Sequence, residues 1–206
     1  MKRNNQKQRA AVKAALIVER TNLFMRTIIV INGKGGIGKD TLISAVEKQA
    51  SYSVSNVSSI TPIRKKCEEY DKNPKDNAYR KLLATLKAAY DEYETAVNEI
   101  SFTQKYLLKE TKMFVKFYGE DDLLFVHIRE PQNIAAYIDA AKKEYPFVKI
   151  KTLLVSSDRA KEDYGNDADN LVDNYDYTHY FISNGDKDTD AKRFVEFIEG
   201  IRAENG

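Results

Sequence analysis

Residues 27–41 read TIIVINGKGGIGKDT and contain the pattern that decides the fold. The run Thr27–Asn32 is short, mostly β-branched and followed by glycine, which is the pattern of a buried central strand. Four of the nine glycines of the chain then fall within the six residues 33–38. Residues 39–50, which come next, carry apolar side chains at helical spacing. The stretch therefore predicts a strand, a glycine-rich loop and a helix in direct succession.

The glycine-rich loop matches a phosphate-binding pattern. Gly33, Gly38 and Lys39 satisfy G-x-x-x-x-G-K, and the pattern requires the strand before it and the helix after it. Glycines let backbone N–H groups approach an anion, which the positive end of the helix attracts. A lysine at this position reaches the β- and γ-phosphates of a nucleoside triphosphate. We expect nucleotide to bind at Gly33, Lys34, Gly35, Gly36, Ile37, Gly38, Lys39, Asp40 and Thr41.

One position departs from this pattern. Asp40 stands where a Ser or Thr hydroxyl normally binds Mg²⁺, and Thr41 follows it. A carboxylate is a hard oxygen ligand, so Asp40 and Thr41 are the candidate metal ligands. Alternatively, Asp40 acts on the hydroxyl group of an acceptor, or it stabilises the N-terminus of the helix by its charge. These three interpretations stay open on the sequence alone.

The rest of the chain alternates strand and helix patterns. Residues 77–118 contain neither Pro nor Gly and predict two long helices with a break near residues 99–103. The apolar stripe of the first helix includes Leu83, Tyr90 and Tyr93. Strands separated by helices form a parallel sheet covered on both faces. We predict an α/β domain with a parallel sheet of about five strands between helices, the further strands lying at residues 53–59, 123–128, 148–155 and 179–183.

Composition limits the classes of protein. The chain has 33 basic and 31 acidic residues, a net charge of +2, which argues against a protein that coats nucleic acid. Hydrophobic residues make up 42% of the chain, too many for disorder, and no apolar run approaches the roughly 20 residues that span a bilayer. The single cysteine, Cys67, excludes an intramolecular disulfide. We expect a cytoplasmic protein with no membrane and no stable nucleic-acid partner.

The N-terminal segment is basic. Residues 1–24 carry six basic side chains and one acid, and the spacing at residues 9–23 suits a helix. This segment is a docked helix, a basic arm for an acidic partner, or an organellar presequence. We therefore divide the chain into an N-terminal basic helical arm at residues 1–25 and one domain at residues 26–206.

The loop resembles that of a kinase family. The pattern G-K-x-x-x-G-K-D-[ST] at residues 33–41 is similar to P-loop kinases of small phosphorylated acceptors, namely phage-type deoxynucleoside monophosphate kinases and animal-type phosphomevalonate kinases. The similarity extends to residues 75–87 and 125–131 and covers roughly residues 26–203. It implies the three-layer P-loop NTPase fold. It also implies transfer of the γ-phosphate of ATP, with Mg²⁺, to a small acceptor, with a (deoxy)nucleoside monophosphate as first choice.

The resemblance also suggests roles for residues outside the loop. Arg64 and Arg80 lie in the segment 60–120, whose helices hold the acceptor in such kinases, so they are the candidate acceptor-binding residues. Arg129 stands at the carboxyl end of the third strand, and Arg159 heads the acidic stretch 156–177, a possible lid. Phosphoryl transfer needs positive charge around the transferred group. The candidate catalytic residues are therefore Lys39, Arg80, Arg129 and Arg159.

The third strand ends on a histidine. His127 stands where similar kinases often carry an acid, so the second carboxylate that usually anchors the metal is not evident. We interpret His127 as a core histidine whose hydrogen bonds are satisfied. Glu130 comes shortly afterwards and is interpreted as the partner of a neighbouring basic side chain.

A second family matches part of the loop. Residues 34–39 also fit the K-G-G-x-G-K loop of partitioning, septum-site and nitrogenase iron-protein ATPases, in which the first lysine reaches across a dimer. Those ATPases carry acidic segments after later strands, whereas this third strand leads into His-Ile-Arg-Glu-Pro. The kinase interpretation is favoured, with Lys34 solvated or facing phosphate. The alternatives are a homodimeric ATPase of the partitioning type and a nucleotide-binding module without turnover.

Overall fold

The computed structural model describes residues 26–68, 76–157 and 171–204. Within these ranges the strands are β1 (Thr27–Asn32), β2 (Val54–Ser58), β3 (Leu123–His127), β4 (Lys149–Ser157) and β5 (His179–Ser183). The helices are α1 (Lys39–Gln49), α2 (Thr61–Lys66), α3 (Asn77–Asn98), α4 (Phe102–Phe117), α5 (Pro131–Glu144) and α6 (Lys187–Ala203). The predicted arm at residues 1–25 and most of the possible lid lie outside the described residues.

The five strands form one parallel sheet in the order β2-β3-β1-β4-β5. All six residues of β1 are buried, as the apolar run predicts for a central strand. From β1 the chain runs to β2 and β3 on one side and then to β4 and β5 on the other. In open sheets of this kind, ligands bind beyond the carboxyl ends of the strands where the order reverses. The loop after β1 lies at that position.

Side chains of β1 alternate between two cores. Ile28 and Val30 pack in the core that contains Leu107 and Phe114 of α4 and Ile134 and Tyr137 of α5. Ile29 and Ile31 pack in the core formed with α1 and α6, which contribute Leu42, Ile43, Val46, Phe194, Ile198 and Ile201. A strand covered on both faces in this way lies in the middle of three layers. The predicted α/β architecture is confirmed.

Helices α2 and α3 pack around an apolar cluster of their own. Its buried members are Ile63, Cys67, Tyr79 and Leu83. The apolar stripe predicted for α3 is only partly right, because Tyr93 is 65% exposed and the buried position between Leu83 and Tyr90 belongs to Lys87. This cluster positions the two helices that carry Arg64 and Arg80.

The break between α3 and α4 has local causes. Glu99 ends α3 in the left-handed conformation, with φ of 59°. Ser101 caps the N-terminus of α4, and its side chain accepts a hydrogen bond from the Gln104 N–H at 3.1 Å, which satisfies an otherwise unpaired donor. The predicted break near residues 99–103 is confirmed.

Among the described helices, none is both long enough and apolar enough to span a bilayer.

Candidate functional site

The loop at residues 33–38 has a backbone that requires glycine at its start. Gly33 has φ of 147°, and a Cβ atom built on it would lie 2.3 Å from the carbonyl oxygen of Val155 in β4. No side chain fits at that distance, so the loop passes against β4 only because residue 33 is glycine. Gly36 and Gly38 also have positive φ, of 76° and 90°, in the region that favours glycine.

The loop presents backbone donors. The first backbone hydrogen bond of α1 runs from the Leu42 N–H to the carbonyl of Gly38 at 3.1 Å, and no side chain caps this helix. Within the described residues, no acceptor is bonded to the N–H groups of Gly35, Gly36, Ile37, Gly38, Asp40 and Thr41. Consecutive donors at a helix N-terminus bind anions, and the helix dipole adds to the attraction. The loop has the chemistry of a phosphate site.

Lys39 adds a positive charge to the loop. Its ammonium group donates hydrogen bonds to the carbonyl oxygen of Gly33 and, at 3.0 Å, to that of Lys34. These bonds hold the charge of Lys39 next to the unpaired amides. The lysine predicted to neutralise phosphate therefore lies inside the loop that presents the donors.

The predicted metal ligands are accessible at the start of α1. The side chains of Asp40 and Thr41 are both exposed. The described part of the chain holds no group of three or more His, Cys, Asp and Glu side chains that is arranged to bind a metal ion. Mg²⁺ is usually held by one or two protein oxygens together with phosphate oxygens and water. Asp40 and Thr41 fit that mode of binding, with the nucleotide supplying the further oxygens.

Asn32, the last residue of β1, joins the loop to two other segments. Its Oδ1 accepts from the Gly33 N–H at 2.8 Å, and its Nδ2 donates to the Arg129 carbonyl at 2.9 Å and to the Tyr177 hydroxyl at 2.7 Å. Asn32 is 1% exposed, so both ends of the buried amide are paired. The sequence analysis missed this residue. Its signal was an amide side chain at the end of an otherwise apolar strand.

Lys34 contacts an acidic residue of its own chain. Its ammonium group lies 3.6 Å from a carboxylate oxygen of Asp173, which belongs to a short 3-10 turn at Val172–Asn174. The Asp173 side chain is 60% exposed, so this ion pair contributes little to stability. It does show where the Lys34 side chain points.

The structure brings two of the predicted arginines to the end of β3. The charges of Arg64 and Arg129 both act on the imidazole of His127, the last residue of β3. Arg64 is exposed on α2, and Arg129 is half-buried. Arg80 is exposed in the first turn of α3. Arg159 lies outside the described residues.

His127 differs from its sequence interpretation. Its Nε2 atom is buried and has no hydrogen-bond partner among the described residues, so the interpretation as a satisfied core histidine is wrong. Burial lowers the pKa of His127 to about 4; the positive charges of Lys39, Arg129 and Arg64 also lower it, whereas Asp40 raises it. The imidazole is therefore neutral at pH 7.

Glu130 is paired, as predicted. One of its carboxylate oxygens lies 3.0 Å from the ammonium group of Lys87, which also lies 3.2 Å from Asp91. Asp91 in turn accepts hydrogen bonds from the backbone N–H and the hydroxyl of Thr103 at 2.7 and 2.8 Å. Lys87 therefore forms ion pairs that connect α3 to the start of α5. Although it lies on the helix expected to face the acceptor, its charge is neutralised within the chain.

Comparisons with known proteins give the fold. No protein-family model and no curated protein matches the sequence. The structure is similar to that of the Deinococcus radiodurans tunicamycin resistance protein, with a TM-score of 0.51 and 12% identity over 84% of this chain and 95% of that chain. It is also similar, with a TM-score of 0.38, to a de novo designed protein of P-loop NTPase fold, which is 14% identical over 86% of this chain and 92% of that chain.

A plasmid partition protein from Borrelia burgdorferi is similar with a TM-score of 0.35 and 13% identity, over 86% of this chain and 99% of that chain. TM-scores of 0.35 and 0.38 are too low to separate one function from another. We assign the fold from the five-stranded parallel sheet, its two helical layers and the glycine-rich loop between β1 and α1. By these features, the chain has the P-loop NTPase fold.

Proposed function

We propose that the chain is a phosphotransferase that moves the γ-phosphate of ATP to a small phosphorylated acceptor, with a nucleoside monophosphate as first choice. The observation that carries the proposal is a set of backbone N–H groups beside the ammonium group of Lys39. Among the described residues these N–H groups bond to no acceptor, and they belong to Gly35, Gly36, Ile37, Gly38, Asp40 and Thr41. A triphosphate has the charge and the oxygens to pair with all of them. The P-loop NTPase fold supports nucleotide transfer or hydrolysis.

The cations near β3 favour transfer to a second anion. Arg64 and Arg129 lie within electrostatic reach of the end of β3, the strand that pairs with β1 on the side where β2 follows it. A nucleotide bound to the loop alone does not need positive charge on that side. An acceptor phosphate does, because two anions must approach each other before phosphoryl transfer. Arginine binds such a group through two parallel hydrogen bonds.

Each group has a definite task in this reaction. The loop amides and Lys39 hold and neutralise the β- and γ-phosphates, and Asp40 and Thr41 bind the metal. Mg²⁺, when bound with the nucleotide, neutralises charge that develops on the phosphate oxygens. Arg64, Arg80 and Arg129 orient the acceptor phosphate and leave its attacking oxygen in line with the γ-phosphate.

The position of Lys34 supports this proposal over a dimeric ATPase of the partitioning type. Its ammonium group faces Asp173 of the same chain at 3.6 Å. A lysine that completes the site of a second copy must instead point away from its own domain. Lys34→Ala is therefore expected to lower turnover less than tenfold, whereas a dimeric ATPase would lose its acceptor-independent hydrolysis in this variant.

The test is ADP production from ATP and Mg²⁺ against a panel of nucleoside monophosphates and phosphomevalonate. We expect one acceptor class to stimulate turnover, Lys39→Ala to abolish it, and Arg80→Ala to raise the KM for the acceptor about tenfold or more. Lys105→Ala, at an exposed position on α4, is the matched control for loss of a surface cation. Intact ATP binding without any acceptor-stimulated turnover would contradict the proposal, and an unchanged KM would remove Arg80 from the site.

A further inference from the structure

His127 occupies a defined position in the sheet. The register pairs it with Ile31 of β1 on one side and with Ser58 of β2 on the other. Ile31 is two residues before Gly33, where the phosphate loop begins, and Ser58 is three residues before Thr61, where α2 begins. Because the carboxyl ends of parallel strands meet at one edge, His127 lies between the phosphate loop and α2.

The imidazole of His127 has an unpaired polar atom at this edge. Nε2 is buried and bonded to no acceptor or donor in the described ranges. An unpaired buried polar atom destabilises a folded protein, and such atoms usually have a role that explains them. A ligand that bonds to Nε2 would recover the lost free energy on binding.

The surrounding charges indicate what kind of ligand this is. Asp40 contributes one negative charge near the imidazole, and Lys39, Arg64 and Arg129 contribute three positive charges. The excess of two positive charges attracts an anion. Because the imidazole itself is neutral at pH 7, one of its nitrogens carries a proton, and this N–H group can donate a hydrogen bond to an oxygen.

We propose that the Nε2–H of His127 donates a hydrogen bond to a phosphate oxygen bound between the phosphate loop and Arg64. The ligand oxygen belongs to the γ-phosphate of the nucleotide or to the phosphate of the acceptor, so this inference rests on the proposed function. His127 is then a substrate-binding residue that orients the phosphate without adding a fourth positive charge. The residue that carries this donor is the last residue of a strand within the sheet.

Nuclear magnetic resonance tests this directly, because the chain has only two histidines. Long-range ¹H–¹⁵N spectra of the ¹⁵N-labelled protein report which imidazole nitrogen carries the proton. His179 is the internal control, because it lies away from the carboxyl ends of the strands. It is the first residue of β5, an outer strand of the sheet, and its Nε2 lies 2.8 Å from Glu204. Three samples separate the two sources of phosphate: a non-hydrolysable ATP analogue with Mg²⁺, thymidine monophosphate alone, and both together.

We expect His127 to carry its proton on Nε2. The Nε2–H signal should shift, and its exchange with water should slow, in the samples that contain the phosphate it binds, while the His179 signals stay in place. A His127 proton on Nδ1, or unchanged His127 signals in all three samples while the ATP analogue binds, would overturn the inference and leave the proposed function standing. Absence of binding in every sample would overturn both.

Two variants add an affinity readout. His127→Phe keeps a ring in the strand but removes the donor. We expect this variant to bind the probe at least about tenfold more weakly than wild type does, the probe being the one that shifts the wild-type signal. His127→Gln places an amide N–H close to the position of Nε2 and should stay within about threefold of wild type. Equal affinity of His127→Phe and wild type would contradict the inference, and the wild-type spectra test it even if this variant does not fold.

Discussion

The side-chain amide of Asn32 donates a 2.7 Å hydrogen bond to the hydroxyl of Tyr177, although 145 positions separate the two residues. The Tyr177 hydroxyl in turn donates to the carbonyl of Val172 at 2.9 Å. Burial raises the pKa of Tyr177 to about 12, so the hydroxyl keeps its proton at neutral pH. The end of β1, where the phosphate loop begins, is thereby fixed to the chain that precedes β5.

Asn32→Asp should destabilise the protein and the loop together. The substitution removes the amide nitrogen that donates to the Arg129 carbonyl and to the Tyr177 hydroxyl. The new carboxylate oxygen would then face the Arg129 carbonyl oxygen at close range. We expect the free energy of unfolding in urea to fall by at least about 2 kcal/mol at pH 7. The affinity for a Mg²⁺–ATP analogue should also fall, because the Gly33 N–H would follow the displaced side chain.

Tyr177→Phe removes one bond of the same group. It leaves one N–H of Asn32 and the Val172 carbonyl without this partner, so we expect a loss of about 1–2 kcal/mol. Tyr175→Phe is the matched control, because its hydroxyl makes no hydrogen bond within the described residues and its ring lies 5.0 Å from that of Tyr177. Equal unfolding free energies for the two variants would show that the Asn32–Tyr177 bond contributes nothing.

Gly33→Ala should prevent the loop from forming. A Cβ atom there lies 2.3 Å from a backbone oxygen of β4, which cannot move aside as a flexible side chain can. We expect loss of nucleotide binding by calorimetry and a lower melting temperature. Gly200→Ala, inside α6 with open space around the new methyl group, is the control and should raise stability by about 0.5–1 kcal/mol. A Gly33→Ala protein that binds nucleotide normally would contradict the close approach of the loop to β4.

The stability that the protein loses in Lys87→Met should depend on pH. Burial raises the pKa of Glu130, but the charge and hydrogen bond of Lys87, with the backbone amide and Asn133, hold it below its usual value. Stabilisation from this carboxylate is therefore complete above a pH of about 4.3 and is lost as the pH falls through the lowered pKa. At pH 7 we expect Lys87→Met to cost about 2–3 kcal/mol, since Glu130 and Asp91 lose their cation.

The difference between wild type and Lys87→Met should shrink as the pH falls through the lowered pKa of Glu130, because below it Glu130 binds a proton in both proteins. Urea unfolding at several pH values measures it. Lys105→Met serves as the control, because Lys105 is 59% exposed and its contact with Glu94 at 3.4 Å is worth under about 1 kcal/mol. A difference that stays constant from pH 7 to pH 3 would show that Lys87 does not act through Glu130.

The phosphate loop and the sheet could be predicted because both depend on neighbours in sequence. Strand β1 and its glycine-rich loop are contiguous, and the observed bounds of β1 and β5 are those predicted. The bond from Asn32 to Tyr177 could not be predicted, since it joins residues 145 positions apart. The same holds for Lys87, which pairs with Glu130 over 43 positions and so occupies a buried place on α3.

His127 shows a second limit of sequence reasoning. A histidine late in an apolar strand predicts burial, and burial is what the structure has for Nε2. Whether a partner exists for that atom depends on side chains from α1, α2 and the turn after β3, which meet only in the fold. Arg64, Arg129 and Asp40 were candidates individually, but their common effect on one imidazole was not visible in the sequence.

The central claim is that the backbone donors of residues 35–41 and the charge of Lys39 bind a triphosphate. Isothermal titration of the wild-type protein and of Lys39→Ala with a non-hydrolysable ATP analogue and Mg²⁺ tests it most directly. We predict one binding site per wild-type chain, together with a higher melting temperature in the presence of the analogue, and binding at least about 100-fold weaker in Lys39→Ala. Equal affinities for the two proteins, or no heat of binding to the folded wild type, would contradict the account.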